Sequence, residues 1–301
     1  MRPLLCAGLL LAVLLTPNLH AAEPATGEDS MDVLRQRLSE KLTKEPAGQV
    51  KLVGRGGKEA ATPKAATKPA PRREPPPWGY EGEGGPEHWA ALNPDNALCA
   101  TGKRQSPIDI KDTLKVDLEK IRFDYQPSAF SVVDDGRTVR VDVAPGNAIT
   151  VMGRRYELQQ FHFHRPAEER LAGRQFDMVV HLVHKDADGR IAIVAVLLDR
   201  DLDNRVQPVV QQVWNNLPLE QNQPLAASTP LDPRQLLPED RSYYTYMGSL
   251  TEPPCTEGVL WMVMRQPVML TMDQIAIFAK LHPMNARPIQ PASGRWIKES
   301  Q

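Results

Sequence analysis

The stretch Leu158-Gln159-Gln160-Phe161-His162-Phe163-His164 decides how the rest of this chain is read. Side chains alternate along a strand, so Gln160, His162 and His164 share one face and Phe161 and Phe163 the other. The phenylalanines demand a core, and the histidines face away from it. Imidazoles at i and i+2 stand about 7 Å apart at the backbone, close enough for both rings to reach one ion. Taken alone, His-x-His is more often a core or surface pair than a ligand pair. A second run, Val179-Val180-His181-Leu182-Val183-His184, shifts that balance by offering a third imidazole seventeen residues after His164. His181 shares a face with Val179 and Val183, whereas His184 points the other way, and strand parity does not choose between them. Three neutral nitrogens with a fourth position open make a catalytic zinc site rather than a structural one.

Outward from these strands the texture stays β-rich. Alternating or apolar runs recur at Phe130–Val133, Thr138–Val143, Ile149–Val151, Ile191–Leu198 and Val259–Met264. Asp134-Asp135-Gly136 and Asp186-Ala187-Asp188-Gly189 punctuate them as turns. Helical periods are few, with Val206–Leu217 and Asp273–Leu281 the clearest, the latter capped by Thr271. The chain has 301 residues, 41% hydrophobic and 24% charged, enough for a sizeable core. A net charge of -1 gives no support to nucleic-acid binding.

The N-terminal part reads differently. Arg2 followed by the apolar run Leu4–Leu15, Pro17 and small residues at Ala21-Ala22 fits a signal peptide over residues 1–22, too short to span a bilayer. The expected location is therefore the periplasm or the cell exterior, with no transmembrane segment after cleavage. Residues 23–77 form a low-complexity arm rich in Ala, Pro and Lys, which lacks the apolar surface to offset its backbone entropy. Within it Met31, Leu34, Leu38 and Leu42 share a helical face, a docking or self-association surface over residues 31–42 or simply a partly formed helix. Signal removal takes Cys6 and leaves Cys99 and Cys255, a pair expected to be bridged in an exported protein, with two buried thiols as the alternative.

Four motifs in order, Gln105-Ser106-Pro107-Ile108-Asp109-Ile110, Gln160–His164, His181–His184 and Tyr246-Met247-Gly248-Ser249-Leu250-Thr251-Glu252-Pro253-Pro254-Cys255, resemble the α-class carbonic anhydrases. The resemblance runs from Trp78 to about Ile297 and makes residues 78–301 the catalytic domain. It implies a single domain of β-rich α/β class around a central, mostly antiparallel twisted sheet of about ten strands, with a few peripheral helices. It implies Zn²⁺ on His162, His164 and His181, which settles the parity question, and hydration of CO₂ to bicarbonate by zinc-bound hydroxide. Thr251 would accept a hydrogen bond from the hydroxide and donate its own to Glu168, and so orient the nucleophile. Val183, Ile193, Leu250, Val259 and Trp261, with Gln160 beside them, would line the substrate pocket. Cys99 and Cys255 match a disulfide of exported members.

Three positions depart from the family pattern. Val179 stands where members carry a glutamate that accepts a hydrogen bond from a ligand imidazole; losing such a partner costs about 10–100-fold in metal affinity or activity. Arg137 stands where efficient members place a proton-shuttling histidine, and a guanidinium cannot shuttle near neutral pH. Glu252 adds a carboxylate beside Thr251. The expectation is a carbonic anhydrase working without a histidine shuttle. The alternatives are a catalytically weak or silent zinc protein acting through partners, and a zinc hydrolase of small esters.

Overall fold

The computed structural model describes residues 77–300 and the single position Gln36. The signal over 1–22, the arm over 23–77 and its helix over 31–42 thus lie outside the described residues, apart from Gln36 and Pro77. Seven strands carry the architecture: β1 (Phe130–Asp134), β2 (Val139–Val143), β3 (Arg154–His164), β4 (Met178–Lys185), β5 (Ile191–Arg200), β6 (Tyr243–Ser249) and β7 (Glu257–Met264). They lie side by side in the order β1-β2-β3-β4-β5-β7-β6. Every neighbouring pair is antiparallel except β5 and β7. Short strands at the margins bring the sheet to 13, mostly antiparallel but mixed, in keeping with the expected class. A separate three-stranded patch joins Asp109–Ile110, Arg170–Leu171 and Arg174–Gln175.

Sequence patterning explains which strands lie where. In β2 the valines at 139, 141 and 143 are buried, whereas Arg140 and Asp142 between them are half-exposed. Strand β5 is instead apolar almost throughout, with Ala192 to Leu198 all buried, because it is covered on both faces. The turn between β4 and β5 is built by Asp186, whose carboxylate accepts from the amides of Asp188 and Arg190, with Gly189 taking the positive φ of +81°. A side chain there would be strained.

One face of the sheet packs on two helices, α1 (Pro208–Asn215) and α2 (Met272–Leu281). Helix α1 starts inside the sequence-expected run because Pro208 fits the first helical turn. Thr271 caps α2 in a reciprocal pair with Gln274, as its position in the sequence suggested. Gln274 also bonds to the backbone of Gln207 in both directions, so the two helix N-termini are stitched together. Phe161, Phe163, Val180 and Leu182 fill the space between sheet and helices, together with Trp214 and Phe278. The opposite face carries a second apolar cluster that includes Val179, Ile193, Ala195, Val259, Trp261 and Val263.

Candidate metal centre

The histidines stand on that second face, and strand register places them. His181 on β4 lies directly opposite His162 on β3, and Val179 lies opposite His164. The three rings come together with centroids 4.8, 5.0 and 5.5 Å apart. Their candidate ligand nitrogens all fall within 4.8 Å of one another, in a buried position. His184 does not join them. It projects to the helix-side face, where its Nε2 meets the Tyr125 hydroxyl at 2.7 Å.

Each imidazole has one nitrogen tied and one turned inward. His162 Nδ1 pairs with Gln160 Oε1 at 2.9 Å. His164 Nδ1 donates to the Asn285 carbonyl at 2.7 Å, and its Nε2 has no hydrogen-bond partner. His181 Nε2 lies 3.3 Å from Glu169 Oε2, which leaves Nδ1 facing the cluster. Burial lowers the proton affinity of all three rings and so favours the neutral form that a metal requires.

Two consecutive carboxylates close the centre. Glu168 and Glu169 are both buried, and Glu168 Oε2 stands 3.6 Å from His164 Nε2 and 3.9 Å from His181 Nδ1. Burial, reinforced by Glu169, pushes Glu168 well up, against hydrogen bonds from the Thr251 side chain and the Arg287 amide. Burial pushes Glu169 up to about 7. Two buried carboxylates beside three neutral imidazoles are costly without a compensating cation. A divalent ion on the inward nitrogens would balance that charge and give His164 Nε2 a partner, so the donor set fits Zn²⁺.

Beside the metal row runs an apolar one. Gln160, Val183, Ile193, Trp261 and Tyr246 pair in succession across β3, β4, β5, β7 and β6. Val259 and Leu250 pack into the same cluster. Trp261 holds its ring 5.0 Å from His181 and donates its indole N–H to the Ser249 carbonyl. Thr251 sits in the loop after β6, and four residues on Cys255 is bridged to Cys99. The Arg137 guanidinium lies 4.0 Å over the Trp78 ring and donates to the Trp78 carbonyl. Glu252 is driven up chiefly by burial, with His164 pulling the other way.

The valine at 179 does not leave His181 without a carboxylate neighbour. Val179 is wholly buried among apolar side chains, but Glu169 supplies the carboxylate from a neighbouring loop. Sequence reasoning also missed Asn285 and Arg287. Asn285 orients His164 through its carbonyl and bonds to Arg137, Phe163 and Arg165 through its side chain. Arg287 spans Gln105, Ser106 and Cys99 with its guanidinium while its amide holds Glu168. The available signal was the polar Asn285-Ala286-Arg287-Pro288 stretch, but it carries no periodicity from which to infer what it touches.

Comparisons with known proteins point to one family. Residues 84–301 match the family model for eukaryotic-type carbonic anhydrase. The chain is similar to a carbonic anhydrase of Pectobacterium carotovorum, 40% identical over 221 residues, which cover 73% of this chain and 89% of that one. It is likewise 38% identical to a carbonic anhydrase of Nostoc sp. over 257 residues, 83% of this chain and 96% of its relative. A hyperthermostable carbonic anhydrase from a hydrothermal vent chimney superposes with a TM-score of 0.72 at 39% identity. That structure covers 74% of this chain and all of its own (100%).

Proposed function

The chain belongs to the eukaryotic-type carbonic anhydrase family, a family of zinc lyases, and from that premise we propose that it interconverts CO₂ and bicarbonate with Zn²⁺ on His162, His164 and His181. The observation that carries the reading is the set of three buried imidazoles, each tied through one nitrogen and offering the other to a common point. When bound, zinc supplies Lewis acidity that brings the pKa of a water down to about 7, as established for carbonic anhydrases generally.

The protein's own groups do the rest. Thr251 has one hydroxyl proton, and committing it to a hydrogen bond with Glu168 leaves only lone pairs facing the reacting water. Thr251 therefore accepts a hydrogen bond from the reacting water and turns the attacking oxygen towards carbon. The Arg287 amide donates to Glu168 Oε1 at 2.8 Å and holds that carboxylate in place. CO₂ is apolar and is held by the row Val183, Ile193 and Trp261, with Val259 and Leu250, rather than by hydrogen bonds. The released proton leaves without a histidine shuttle, since Arg137 stands at that place and is folded over Trp78. Buffer, water or the Glu252 carboxyl carries it out.

The domain plan that goes with this reading is a signal over residues 1–22, an arm over 23–77 in which 31–42 is a candidate docking or self-association segment, and a catalytic domain over 78–301. Export to the periplasm or the exterior is supported by the Cys99–Cys255 bridge, since disulfides persist in oxidising compartments. Among the described residues no helix is long and apolar enough to cross a membrane. The test is stopped-flow CO₂ hydration with zinc counted per chain and His162→Ala as control. Fast hydration that tracks zinc content is expected; a zinc-loaded protein no faster than the control would overturn the proposal.

A further inference from the structure

Resting on the zinc reading above, we infer that Glu169 is the positioning residue for His181, a task moved here from the strand position occupied by Val179 to the loop after β3. His181 has a carboxylate oxygen near each nitrogen, Glu169 Oε2 at 3.3 Å from Nε2 and Glu168 Oε2 at 3.9 Å from Nδ1. Only one nitrogen of a neutral ring carries a proton. The closer carboxylate claims it at Nε2, leaving the Nδ1 lone pair on the side shared with His162 and His164.

Glu169 can do this because its backbone is pinned on both sides. The Ala167 amide donates to the Phe176 carbonyl and the Arg170 amide to Ile108, so the loop joins the small three-stranded patch. Glu169 is wholly buried, and Oε2 on His181 is the only partnered oxygen of its carboxylate, because Oε1 has none. A buried carboxylate with so little other satisfaction is expensive unless its one contact matters. Val179 meanwhile packs with Ile108, Ala167 and Phe176, so position 179 contributes volume where a glutamate would contribute charge. On β4, residue 179 is two places from His181 on the same face; Glu169 approaches the same ring from the loop. Either approach places a carboxylate at Nε2, and one is sufficient.

The test is the rate at which the zinc-loaded protein surrenders its metal to an excess of chromogenic chelator. Glu169→Ala should release zinc about 10–100-fold faster than the parent. Glu169→Gln, which keeps size and packing, should accelerate release in the same direction by less. The decisive variant combines Glu169→Ala with Val179→Glu. Restoring the carboxylate from the strand should return release most of the way to the parent rate, which repaired packing alone would not do. Unchanged release in Glu169→Ala, or no recovery in the double variant, overturns the inference. A parent that never holds zinc would instead count against the zinc reading, so the two failures are distinguishable.

Discussion

His181 and His184 are three residues apart on one strand, equally buried, and on opposite faces of one sheet. His184 is enclosed among core side chains, stacked on Tyr125 with rings 6.0 Å apart and bonded to its hydroxyl. His181 is enclosed with two other imidazoles and two carboxylates. Burial drives protons off both rings, to about 3 for His184. Desolvation therefore does not separate a ligand from a structural histidine. The separation comes from what each ring faces: the Tyr125 hydroxyl at His184 Nε2, or two further imidazoles beside His181.

Exchanging the two roles by mutation gives the largest contrast. His181→Ala should abolish zinc retention and lower CO₂ hydration by at least about 100-fold, beyond the range for losing an outer partner. His184→Ala should keep zinc at one per chain and lose stability instead. Metal analysis of both proteins checks this, and equal zinc loss would erase the distinction. Next in size, Tyr125→Phe should cost about 1–3 kcal/mol of unfolding free energy by leaving His184 Nε2 unpartnered, with hydration unchanged. Urea denaturation beside a rate assay reads both.

A smaller effect comes from acid. Between pH 6.5 and about 3 the unfolded chain protonates residue 184 and the folded chain does not. Stability should therefore fall as pH drops through that window, by up to about 1.4 kcal/mol per pH unit from this group. His184→Gln should flatten the slope between pH 6.5 and 5; an unchanged slope would show that His184 is not the group responsible. The smallest effect expected is on the ligand face alone. Arg137→His should raise turnover a few-fold at low buffer concentration and leave it unaltered at high buffer; the same rate in both conditions would remove proton export as the limiting step.

The two faces also differ in how far they could be read from sequence. Alternation in Leu158–His164 assigned Phe161 and Phe163 to one core and His162 and His164 to the other side, and β3 and β4 occupy the runs expected of them. Strand periodicity works because each residue's face follows from its neighbours. It left His181 and His184 undecided, since choosing required the register with β3, which is a property of two strands. Glu169, Asn285 and Arg287 escaped for a different reason. All three reach the site from irregular backbone, and their contacts are with residues 12, 121 and 119 positions away. The substitution at Val179 was visible in the sequence; that a carboxylate returned from position 169 was visible only in three dimensions.

The Cys99–Cys255 bridge bears on how such a protein matures. Cys255 closes the loop that begins at Thr251, and the Cys99 carbonyl receives the guanidinium of Arg287, whose amide grips Glu168. Both members of the relay are thus moored to one covalent link, from opposite ends of the chain. Strand register, rather than the bridge, sets His181 opposite His162. Reducing the bridge should therefore loosen the Thr251 loop and the hold of Arg287 on Glu168 before it disturbs the paired strands that carry the histidines.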